Sequence, residues 1–145
     1  MGLQYRYNET RWLDSAGFGI FLLASAWILL KYPFFWNSFT AWLSSLPRGW
    51  VAPPLIIIEP IAVFFVIMGV WSIAEGIIRG LAGGSARQSV SNIVGGCFNF
   101  VIAYILRGYE AGSVSLNVVI PTIIIFFGVS LIISGIVSGL KLAKY

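Results

Sequence analysis

The chain has 145 residues, a net charge of +4, 59% hydrophobic residues and 10% charged residues. Soluble domains carry about 25% charged residues, so this composition excludes an ordinary water-soluble fold. With no histidine and one cysteine, Cys97, the chain cannot run Ser-His-Asp or Cys-His catalysis or close an internal disulfide, and it lacks the usual ligand for haem, zinc, copper and non-haem iron. The expectation is no metal site and no redox centre held by this chain alone.

Residues 1–14 are polar, mixed in charge and without the basic, apolar, small-residue succession of a cleaved signal peptide, so this segment is expected to stay attached. An uncharged run from Ser15 to Leu30 follows, and aromatic residues extend it past Lys31. It predicts a first span over residues 15–33, with Lys31 near its far end, either snorkelling or paired.

Between Phe35 and Leu46, the apolar residues Phe35, Phe39, Trp42, Leu43 and Leu46 recur at helical spacing opposite Asn37, Ser38, Thr40, Ser44 and Ser45. That spacing predicts an amphipathic helix over residues 34–46 lying in the membrane interface, where aromatic rings are favoured. Pro47 ends it, and Pro53-Pro54 pre-set the start of a second span over residues 54–78.

Arg87 and Arg107 bound a third span over 88–106, and a fourth over 117–140 is closed by Lys141 and Lys144. The fold class is therefore an all-α integral membrane protein. Residues 1–145 form one domain, a four-transmembrane-helix bundle with an outer interfacial helix between the first two spans.

Lys and Arg are scattered over the connections rather than gathered into a stripe, which argues against nucleic acid as a partner. Six of these cations (Arg6, Arg11, Arg79, Arg87, Lys141, Lys144) fall on one side of the predicted topology and three (Lys31, Arg48, Arg107) on the other. A multi-pass protein of the cell membrane with both termini cytoplasmic is expected, an orientation that leaves the Asn8-Glu9-Thr10 sequon unused.

Residues Gly69 to Leu81 (GVWSIAEGIIRGL) match Gly128 to Leu140 (GVSLIISGIVSGL) at an offset of 59 residues. The pattern places Gly69, Gly76 and Gly80 on one helix face and Gly128, Gly135 and Gly139 on another, where small residues let backbones approach. A duplicated hairpin and convergent small-residue packing both account for it. On the third span Asn92, Gly95, Gly96, Asn99 and Ala103 share a face suited to helix packing, or to lining a polar path.

An ionisable residue inside a span is a functional candidate because charge is costly there. Glu59 directly precedes Pro60, which leaves the carbonyl of Ile56 without its helical donor, so a polar notch is expected. Glu59 and Lys31 lie at similar depth and either pair or snorkel separately; buried together they could hydrogen-bond a quinone carbonyl, bind a small anion or pass a proton. Glu75 and Arg79 read as a surface i,i+4 pair, and Cys97 as a buried, inert thiol.

The stretch Gly17 to Gly69 resembles the DoxX/DoxD-like family of small four-helix membrane proteins. It carries a glycine-containing first helix ending in Lys31, the amphipathic NSFTAWLSSLP segment (Asn37 to Pro47), and a helix bearing Glu59 with Gly69 beyond. The resemblance implies a membrane subunit in quinone-linked redox or respiratory chemistry, with Lys31 and Glu59 the matching positions.

The leading expectation is thus an integral subunit of a larger assembly in the bilayer, packed against other membrane subunits. Lys31, Glu59 and Trp42 would form a quinone wall, with Lys31 and Glu59 the only candidates for a catalytic role. One alternative is a small homo-oligomeric transporter or channel, self-associated through its glycine faces, with Glu59, Lys31, Asn92 and Asn99 lining the path. The other is a structural membrane protein with no catalytic role.

Overall fold

A computed structural model describes residues 11–142, and of their side chains those of residues 12–133, 135 and 136. Its elements in chain order are α1 (Arg11–Lys31), α2 (Phe35–Ser45) continued by a 3-10 turn (Leu46–Arg48), α3 (Leu55–Leu81), α4 (Ala86–Glu110) and α5 (Leu116–Leu142). Four of these helices are long and apolar enough to cross a membrane: Trp12–Lys31, Leu55–Leu81, Ala86–Glu110 and Leu116–Ile133. The protein is a helical membrane bundle with α2 set between its first two spans.

The helices run past the predicted limits on the second, third and fourth spans, and α1 stops at Lys31 rather than residue 33. Charge marks where apolar side chains end, but backbone hydrogen bonding carries the helix onward into the headgroup region, so Arg87 and Arg107 lie inside α4. Pro33 halts α1, because the residue before a proline is pushed out of the helical region. α3 stops where Gly83 turns left-handed at φ 70° and the amide of Gly84 donates to the carbonyl of Arg79 at 2.9 Å.

The tightest packing joins α3 to α4. A Cβ on Gly69 would lie 3.1 Å from the carbonyl oxygen of Gly96, and one on Gly76 would lie 2.8 Å from that of Ser89. The two backbones therefore touch without intervening side chains. The Ser89 hydroxyl donates to the Gly76 carbonyl at 2.5 Å, and on Gly80 a Cβ would meet the same hydroxyl at 3.0 Å. Asn99 packs against Gly69, whereas the Asn92 Nδ2 is buried with no partner.

Three other glycines do not play the packing role expected of them within the chain. Cβ atoms on Gly95, Gly128 and Gly135 would meet nothing within 4 Å. Gly95 sits one helical step, about 100°, round from Gly96 and off the α3 contact. The α5 glycines differ from those of α3 because, among the described residues, no helix lies against the face of α5 that carries Gly128 and Gly135. Gly139 lies outside the residues whose surroundings are described.

α1 lies against α3, and α5 against α4. Phe21 of α1 meets Phe64 of α3 edge to face with centroids 5.7 Å apart, and Phe98 of α4 meets Phe127 of α5 at 6.4 Å. Pro121, six residues into α5, removes the donor for the Asn117 carbonyl. The hydroxyl of the adjacent Thr122 donates to Val118 at 2.7 Å.

Cys97 is exposed rather than buried. It sits midway along α4, so in a bilayer its thiol faces hydrocarbon. An apolar, membrane-permeant maleimide is expected to label it in vesicles while a charged thiol reagent leaves it intact; equal labelling by both would place it in water.

Candidate functional site

The end of the bundle that carries α2 holds both ionisable residues expected to act. They do not pair with each other. The Lys31 ammonium lies 4.8 Å from the ring centroid of Trp27 and 5.4 Å from that of Tyr32, held over aromatic faces by cation–π attraction. The spacing is local: Trp27 stands one helical turn before Lys31, and Tyr32 follows it directly. Glu59 instead accepts a hydrogen bond of 2.9 Å from the Tyr32 hydroxyl, which ties the α1–α2 junction to the first turns of α3.

Burial, and then the hydrogen bond to Glu59, push the Tyr32 hydroxyl above its ordinary pKa. It therefore stays protonated, and a donor, throughout the neutral range. Arg107 and Glu110, 3.4 Å apart at the end of α4, act on the same hydroxyl in opposite senses.

Beside this clasp lies an apolar slot of about 320 Å³, at the small end of the range for ligand sites. α1 supplies Ser25, Ile28 and Leu29; α2 supplies Phe35, Trp36 and Phe39; α3 supplies Pro60, Ile61 and Phe64. α2 can cover it because its aromatic residues stack in series, Phe35 on Phe39 at 5.7 Å and Phe39 beside Trp42 at 6.2 Å.

Lys31, Glu59 and Trp42 do not line this slot. Glu59 is turned one residue away from Pro60, toward Tyr32, and the Trp42 indole donates to the Val51 carbonyl at 2.9 Å, fastening α2 to the segment before α3. The three residues border the site as clasps rather than forming its wall.

At the opposite end of the bundle a charged cluster corrects the reading of Glu75 and Arg79 as a surface pair. Arg79 is only 3% exposed. Its Nε and Nη2 donate to Glu75 Oε1 at 2.8 and 2.6 Å, and Nη2 also donates to Asp14 of α1. Glu75 is 16% exposed and Asp14 65%.

The i,i+4 spacing showed the pair but not its burial, nor the partner 65 residues earlier. The signal available was positional: Asp14 opens the first apolar run and Arg79 closes the second, so opposite charges stand at the same membrane boundary. Nearby, a Cβ on Gly17 would lie 3.0 Å from the Trp71 indole nitrogen, which is buried without a partner. With its Nε and Nη2 committed to carboxylates, Arg79 is a structural clasp between α1 and α3.

Among the described residues no group of three metal-ligating side chains occurs. Compared with known proteins, the chain matches no family model, no curated protein and no solved structure. The slot can hold hydrocarbon, and the Tyr32–Glu59 and Lys31 groups at its border can offer a proton or a positive charge.

Proposed function

We propose that the chain is an integral membrane subunit of a quinone-linked redox or respiratory assembly, lending one apolar slot to a quinone-class amphiphile and bearing no redox centre of its own. The observation that carries this reading is the slot beneath α2, bordered by Tyr32–Glu59 and Lys31. It combines an apolar cleft with a few convergent polar groups. The resemblance over Gly17 to Gly69 supports it, since the slot falls within that stretch and Lys31 and Glu59 are its matching positions.

The bias of cationic residues supports cytoplasmic termini in a cell membrane, with α2 on the outer face; Arg6, Arg11, Lys141 and Lys144, which contribute to it, lie outside the residues whose side chains are described. A self-associating transporter is the second reading, favoured by the open faces of Gly128 and Gly135.

Purification in mild detergent from native membranes, with mass spectrometry of co-purifying proteins and extracted lipids, separates the two. Reproducible recovery of redox subunits or quinone is expected. A clean homo-oligomer with neither would replace the quinone reading with transport or scaffolding.

A further inference from the structure

The polar atoms around the slot are already committed. The Ser25 hydroxyl donates to the Phe21 carbonyl at 2.8 Å, and Pro60 has no N–H to give. The remaining donor on the lining, the indole of Trp36, belongs to a residue 58% exposed and so placed at the mouth. A quinone ring drawn inside would leave its carbonyl oxygens without donors, and a buried polar group without a partner is costly. A hydrocarbon chain carries no such penalty.

The mouth is continuous with the lipid-facing surface of the bundle. Leu29 and Trp36 both line the slot and are 47% and 58% exposed, so a chain already dissolved in the bilayer reaches the slot sideways without crossing water. The donor that a ring carbonyl needs stands one turn beyond Ile28 on the same helix: the Lys31 ammonium, which lies over the rings of Trp27 and Tyr32.

We propose that the slot takes the hydrocarbon tail, not the ring, of the quinone-class amphiphile, with the ring outside it at the Lys31–Tyr32 end of α1. This rests on the quinone reading above. α2 is then the element that selects the tail, through the Phe35, Trp36 and Phe39 side chains that form one wall.

Two photoreactive quinones test the orientation on the full chain in lipid nanodiscs, one bearing a diazirine on the tail and the other an azide on the ring, with adducts mapped by mass spectrometry. The tail probe is expected to label Ile61 or Phe64 and the ring probe the segment from Lys31 to Phe34, each suppressed several-fold by excess unlabelled quinone. Shortening the tail is expected to lower affinity several-fold.

Ring-probe adducts at Ile61 or Phe64, or an affinity independent of tail length, would overturn the orientation while the quinone reading stands. Labelling that excess quinone does not suppress would sink the quinone reading and the orientation together.

Discussion

Replacing Arg79 with alanine is expected to destabilise the helical bundle by about 3 kcal/mol, the low end of the cost of breaking a buried ion pair. The cost arises on the carboxylate left behind: Glu75, 16% exposed, loses its partner, while Asp14, 65% exposed, recovers water. Asp14→Asn should accordingly cost only about 1 kcal/mol, as at other exposed pairs. The double substitution Arg79→Met with Glu75→Leu should recover most of the loss, because it removes both buried charges and keeps volume.

Unfolding in mixed micelles, followed by circular dichroism, measures all four proteins. If Arg79→Ala and the double variant proved equally unstable, the loss would belong to the missing bridge from Arg79 to Asp14 and not to an orphaned Glu75 charge. The cluster also joins α1 to α3, so a selective loss of protection from proteolysis at α1 is expected in Arg79→Ala.

The second large effect lies at Gly96. A Cβ there would stand 2.5 Å from Ile73 Cγ1, 2.8 Å from the Gly69 carbonyl oxygen and 3.0 Å from the Ile73 amide nitrogen. Two of these three atoms are backbone, so no change of rotamer relieves the clash and α3 must move away from α4. Gly96→Leu is expected to cost about 3 kcal/mol or more and to reduce the yield of folded monomer in detergent.

The neighbouring Gly95→Leu is the control. Nothing lies within 4 Å of its Cβ position, so its effect should stay within about 0.5 kcal/mol. Equal losses at the two positions would mean that α4 packs against α3 through a different face.

These two glycines mark where the reading of the sequence stopped. Gly95 and Gly96 both fit the small-residue face of the third span, and only the rotation of α4 about its own axis separates them. The same limit applies to Gly128 and Gly135. They share the spacing of Gly69 and Gly76, yet the α3 pair receives α4 and, among the described residues, the α5 pair receives no helix. A motif records what a helix can accept, whereas contact depends on which neighbour arrives.

At the α2 end, sequence located the ionisable groups but not their partners. Lys31 and Glu59 do stand at the same end of the bundle, as their depths in the two spans required. Whether they meet depended on side-chain direction, and the aromatic residues Trp27 and Tyr32 divert them to separate contacts. The slot itself was not legible, because its walls come from three elements whose relative placement no local pattern encodes.

What the sequence by itself determined was the membrane helices and the helix between the first two: long uncharged apolar runs, prolines at their limits, and a periodic aromatic face. Those features act locally, through backbone hydrogen bonding and the transfer of apolar side chains out of water. Only the tertiary structure decided that Arg79 is buried between Glu75 and Asp14, that Cys97 faces outward, and that the slot is bare of the residues chosen to line it. Each of these depends on contacts between helices far apart in the chain, which the rotation and tilt of whole helices set.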